Sequence, residues 1–243
     1  REYSTCSVEA MASSILAPGP QMTLYHTMSA RSFRVLWTLH EMGIADKCKL
    51  ITMPFPPRMF VREYLKINVL GTIPYFVDGN VKMTESCAIP KYLVEKYGPT
   101  SLQVKPHEPE WSDYINWIAH ADATLTFPQT VVLRYTLQEK GRADSAAEDY
   151  GKWYIARLRL LDNTLADGRE FLCAGRFTLA DICVAFALEL GTTFGFDKQY
   201  KPQTKSYLER LCQRPAFLAA KAHQEESSQH FQATAAAQSQ AKL

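Results

Sequence analysis

The sequence predicts an α+β chain in which a small βαβαββα unit is followed by an all-helical domain. Three observations carry this prediction. Short apolar runs alternate with helix-spaced apolar residues up to residue 98. Within that region an Asp-Gly-Asn turn separates two strand-like runs. Beyond a proline-marked stretch the apolar spacing is helical throughout.

The elements follow in order. "MTLYH" from Met22 is a short strand, and "SARSFRVLWTLHEMGI" places Phe33, Leu36, Trp37 and Leu39 near helical spacing. Gly43 closes that helix as a residue just past a C-cap. "CKLITM" is the second strand, and "PFPPRMFVREYLKIN" is a proline-marked loop with a short helical piece. "PYFV" and "VKMT" flank Asp78-Gly79-Asn80, a hairpin turn that needs positive φ. A helix from about Glu85 to Tyr97 completes a first domain over 22–98. "GPTSLQVKPHEPE" supplies a linker over 99–107.

Helices fill 108–222. Trp111, Tyr114, Ile115, Ile118 and Leu125 share one side of the first, and Pro128 is expected to kink or divide it. Tyr150, Tyr154, Leu158, Leu161 and Leu165 form a stripe that ends before Gly168. Thr178 and Asp181 stand as N-cap and N3, a capping box, with Phe177 and Ile182 at the positions of a hydrophobic staple. Residues 1–21 lack periodicity and residues 223–243 are rich in Ala, Gln and Ser, so both are expected to be disordered.

Composition excludes several classes. At 47% apolar and 21% charged residues the chain has the profile of a soluble globular protein. A net charge of +2 gives no reason to expect nucleic acid or an anionic membrane as partner. No apolar run reaches the length of a membrane span. The six cysteines form no C-x-x-C pair and no Cys/His cluster, so neither a metal site nor a disulfide framework is expected. Scattered thiols fit a reducing compartment and hence the cytoplasm.

The stretch "GTIPYFVDGNVKMTESCAI" carries the chemistry. Pro74 opens a strand and cannot donate to a ladder; a cis Ile73–Pro74 bond would leave the polar groups of Ile73 facing a cleft. Downstream, Glu85 and Ser86 stand at a helix start. Backbone N–H groups and a hydroxyl there suit a carboxylate, and Glu85 suits an ammonium. Together these are the two ends of an amino-acid headgroup, although simple capping by Thr84-Glu85-Ser86 explains the same residues.

The segments "LYHTMSARSFRVLWTLHEMG", "NVLGTIPYFVDGNVKMTESCAI" and "AGRFTLADICVA", in this order and spacing, resemble the cytosolic glutathione transferases, in the bacterial-type, serine-dependent group. The resemblance covers about Met22 to Ala222. It implies a thioredoxin-like N-terminal domain (βαβαββα), an all-helical C-terminal domain and a homodimer. It implies that glutathione is the co-substrate, with no metal, and that a small apolar electrophile is the second substrate. By the same resemblance Ile73, before a cis Pro74, offers its backbone to the cysteinyl unit, and Glu85 and Ser86 hold the γ-glutamyl headgroup. Ser29 is the thiolate partner and Ser32 the second choice. Arg31, or Arg34, adds positive field. Lys66, Arg58 or Asn68 meets the glycyl carboxylate. Tyr135 and Phe127 are the expected second-substrate contacts, from a helical supply that includes Trp117 and Leu133. Tyr25 lies too early to be catalytic, and His26 reads as a strand-end packing residue. The first turn lacks cysteine, which argues against thiol–disulfide chemistry. A non-catalytic glutathione-binding protein and a glutathione-dependent lyase or dehalogenase are the alternatives.

Overall fold

The computed structural model describes residues 22–240, the last seven by backbone alone. The extension expected over 1–21 lies outside the described residues. Strand β1 (Met22–His26) leads through helix α1 (Phe33–Glu41) to β2 (Cys48–Thr52). Two short helices, α2 (Pro57–Phe60) and α3 (Tyr64–Ile67), then precede the hairpin β3 (Tyr75–Asp78) and β4 (Val81–Met83) and helix α4 (Ala88–Tyr97). This is the expected βαβαββα order, of thioredoxin-like type.

The sheet runs β2-β1-β3-β4. Strand β1 is parallel to β2, with Met22 opposite Cys48, and antiparallel to β3, with Tyr25 opposite Tyr75. In the hairpin turn only Gly79 takes positive φ (58°) and Asn80 does not, so one permissive residue suffices. Helix α4 begins three residues later than expected. Its first turn is nevertheless anchored on Glu85, whose carbonyl accepts the N–H groups of Ala88 and Ile89 at 3.0 Å each. Gly43, at φ 65°, ends α1 as expected.

The remaining helices are α5 (Trp111–His120), α6 (Phe127–Leu133), α7 (Asp144–Arg157), α8 (Arg159–Thr164), α9 (Leu179–Thr193), α10 (Pro202–Cys212) and α11 (Pro215–Gln240). Pro128 divides its helix as expected. The backbone over Ala121–Thr126 widens to π-helix just before it, and the side chain of Gln129 bonds the Leu125 carbonyl at 3.0 Å. Helix α9 is the buried axis of the helical unit, and its capping box is complete. Thr178 N–H donates to Asp181 Oδ2 at 2.9 Å, and Ala180 N–H donates to Thr178 Oγ1 at 3.2 Å.

The described residues divide into one unit of those up to Ile89 together with those from Pro215, and a second unit of Pro90–Arg214. That division runs within α4. The expected disordered tail from 223 is helical through Gln240. Ala, Gln and Glu are strong helix formers, and the stripe Phe217, Ala220, Gln224 and Ser227 recurs at helical spacing. That stripe packs within the first unit. Phe217 meets Trp37 and Phe33 edge-on, with centroids 4.9 and 5.4 Å apart, and Ser227 Oγ lies 2.6 Å from Thr52 Oγ1.

Candidate functional site

The register of β1 and β3 decides what meets at one sheet end. Tyr25 faces Tyr75 at the last pair, so the chain leaving β1 through Thr27, Met28 and Ser29 emerges beside the chain entering β3 through Ile73 and Pro74. The Ile73–Pro74 bond is cis. Ile73 lies outside the ladder, and its backbone makes no hydrogen bond to the described residues.

The approach to Ile73 is held firmly. Thr72 C=O accepts from Tyr64 Oη at 2.9 Å and from Asn68 Nδ2 at 3.0 Å, while Asn68 Oδ1 accepts from Leu70 N–H at 3.1 Å. Beneath it pack Tyr25, Tyr64 and Tyr75, their rings tilted at 5.5 and 5.8 Å. Asn68 is buried, so Asn68→Ala leaves the Leu70 amide without its acceptor and removes a donor from Thr72. A loss of about 1–3 kcal/mol in urea unfolding is expected, with weaker affinity for any peptide that pairs with Ile73. Unchanged stability and affinity would show that this brace is dispensable.

The first turn separates the two serines. Ser32 is fully buried, and its Oγ lies 2.8 Å from His26 Nδ1 and accepts from Thr27 N–H at 3.3 Å. Ser29 is half-buried in the left-handed region, at φ 58°. Its N–H donates to Gln224 Oε1 at 3.1 Å. Arg31 is half-buried. Arg34 is wholly buried, and its Nη1 donates to Ser86 Oγ at 2.8 Å. Ser86 thus accepts from a guanidinium, which leaves the hydroxyl proton to be donated. Glu85 beside it is exposed and accepts from Thr84 Oγ1 at 3.2 Å.

His26 is buried at the strand end as expected, and burial pushes its imidazole down to about 3, with the charge of His223 adding to that and Gln224 opposing it. Gln224 is near enough to act on the His26 charge, yet His26 Nε2 forms no well-aligned hydrogen bond among the described residues. Because the unfolded chain binds this proton below about pH 6.5, stability is lost as pH falls from there toward 3, by up to about 1.4 kcal/mol per pH unit. His40, His120 and His223 are displaced in the same direction, also by burial. The contribution of His26 is therefore the difference in slope between wild type and His26→Gln in urea unfolding from pH 4 to 7. Equal slopes would show that His26 carries none of it.

The other expected residues make contacts of their own. Lys66 is exposed on α3 and pairs with Glu63. In the helical unit Phe127 is 48% exposed and meets Tyr150 edge-on at 6.1 Å, with Trp153 a further 5.1 Å along the row. Tyr135 is half-buried with the Arg134 guanidinium 5.6 Å from its ring, whereas Trp117 is core. Three contacts escaped sequence reasoning: Arg34 on Ser86, His26 on Ser32 and Gln224 on Ser29. The first and last join residues 52 and 195 positions apart, so no local pattern announces them.

Comparison with known proteins gives the family of the chain. The glutathione S-transferase N-terminal domain model matches residues 20–95, and the C-terminal domain model matches residues 127–215. Glutathione S-transferase D7 of Drosophila melanogaster is 27% identical over 191 residues, covering 78% of this chain and 83% of that one. Glutathione S-transferase 3 of Schizosaccharomyces pombe is 25% identical over 212 residues, covering 80% and 84%. The solved structure of glutathione transferase URE2P6 from Phanerochaete chrysosporium, in complex with oxidized glutathione, is similar with a TM-score of 0.74 at 26% identity. It covers 86% of this chain and 98% of that one.

Proposed function

Because the chain belongs to the glutathione S-transferase family, we propose that it binds glutathione, stabilises its thiolate and transfers it to an apolar electrophile. The observation that carries this reading is the shared sheet end, where the unladdered Ile73 and the Ser29 turn emerge side by side. A peptide pairing with the Ile73 backbone, as a short added strand, sets its cysteinyl sulfur near that turn. Glu85 takes the ammonium of the γ-glutamyl headgroup. Ser86, oriented by Arg34, donates to its carboxylate. Lys66 and Arg31 supply positive charge toward the rest of the tripeptide.

The energetics are modest. A free thiol has a pKa near 8.5, and making it mostly ionised at neutral pH takes a shift of about 2 units, or roughly 2.7 kcal/mol. A hydroxyl donating to the thiolate supplies about 1.5–3 kcal/mol. The N-terminus of α1 supplies a further 0.3–1 kcal/mol or so. Ser29 is the donor in this proposal, since Ser32 is buried and already engaged with His26. The thiol proton leaves to solvent, the sulfur forms a bond to carbon, and the leaving group departs with its electron pair. Exposed rings such as Phe127, with Tyr135 nearby in sequence, supply apolar contacts for the electrophile. The same proposal takes the protein to act in the cytosol as a homodimer.

The test is thioether formation from glutathione and a chlorodinitrobenzene. A rate well above the uncatalysed one supports the transferase reading. Glutathione binding without turnover of this or other electrophiles favours a non-catalytic binding protein, and release of halide or an ether fragment without a lasting conjugate favours a lyase or dehalogenase.

A further inference from the structure

The C-terminal helix reaches the catalytic turn, and we infer that Gln224 is a positioning residue that holds Ser29 in its working conformation. This rests on the transferase reading above. Ser29 is a non-glycine residue at φ 58°, a conformation that L-residues adopt reluctantly and keep only when their surroundings impose it. The flanks of the turn are held locally: Ala30 N–H donates to Thr27 C=O at 3.0 Å, and Thr27 N–H donates to Ser32 Oγ at 3.3 Å. Among the described residues, the partner of the Ser29 amide itself is Gln224 Oε1, at 3.1 Å.

Gln224 is suited to this task. It is 2% exposed, so its side chain has little room to wander. Its helix is fixed on both sides, by Phe217 against Phe33 and Trp37 and by Ser227 against Thr52. His223, the neighbour of Gln224, adds a contact to His40 at 3.1 Å. Releasing the Ser29 amide lets φ relax to negative values, and that rotation swings Oγ away from where a thiolate is met. Gln224 touches no substrate; it acts through Ser29.

The test is an ultraviolet titration of glutathione thiolate on the full chain. Wild type, Gln224→Met, Ser29→Ala and the double variant are compared, with affinity for S-methylglutathione as a control that lacks an ionisable thiol. Gln224→Met is expected to raise the apparent thiol pKa by about half a unit to one unit, the size of one hydrogen bond, with S-methylglutathione affinity within about twofold of wild type. On the Ser29→Ala background the same substitution is expected to add nothing, since the two act as one device. An equal rise on both backgrounds, or no rise in folded Gln224→Met, overturns the inference and leaves the transferase reading standing. An unshifted thiol in wild type overturns both. If Gln224→Met does not fold, Gln224→Asn, which keeps the amide but withdraws its oxygen by one methylene, is read in the same way.

Discussion

An Asp181→Ala chain is expected to lose about 3–5 kcal/mol of stability in urea unfolding, more than any other single change considered. The reason is the number of buried donors that converge on one carboxylate. Oδ1 accepts from Leu172 N–H at 3.0 Å and from Tyr207 Oη at 2.9 Å, and Oδ2 accepts from Thr178 N–H at 2.9 Å. Alanine leaves all three without an acceptor in the centre of the helical unit, beside the start of α9. Burial lifts the Asp181 carboxyl to about 6, against the pull of these donors, while N–H and O–H donors on both oxygens match a carboxylate that acts only as an acceptor. A loss below about 1 kcal/mol would mean that water or a local shift replaces the carboxylate, and that the capping box is not what fixes the helix.

Ser29→Ala is expected to leave stability nearly unchanged, because alanine meets the same backbone demand at φ 58°. It is expected to raise the pKa of bound glutathione by about one to two units and to lower kcat/KM for conjugation about 10- to 100-fold, as loss of one hydrogen bond to a charged acceptor implies. Ser32→Ala should behave the other way round. Its Oγ is spent on His26 Nδ1 and Thr27 N–H, so its loss disturbs the turn and the stability before the chemistry. A raised thiol pKa in Ser32→Ala beside an inert Ser29→Ala would reverse the assignment.

Much of the fold was legible because its signals are local. Asp78-Gly79 marks a hairpin by backbone permissiveness, Gly43 marks a helix end, and Thr178 with Asp181 marks a helix start; each appears in the structure in that role. The start of α4 was read early because the Glu85 carbonyl opens the first turn ahead of the regular helix. Two short helices occupy the proline-marked segment where one helical piece was expected, since Val61, Arg62 and Glu63 interrupt it. What was illegible depends on distant partners. The tail reads as low complexity because Ala, Gln and Ser say nothing of a docking surface, yet Phe217 and Gln224 find one in α1 and the first turn. Arg34 was expected, as an alternative to Arg31, to add positive field; it is a buried donor to Ser86. At the site, the sequence pointed to Ile73, Glu85 and Ser86 as types of group, and only the sheet register shows that Ile73 and the Ser29 turn share one end.

Thiolate stabilisation is read from ultraviolet titration of glutathione bound to the wild-type protein. The bound thiol is expected to be half-ionised near pH 6.5, about two units below the free group. Bound glutathione that titrates like the free thiol, or no binding at all, would contradict thiolate stabilisation.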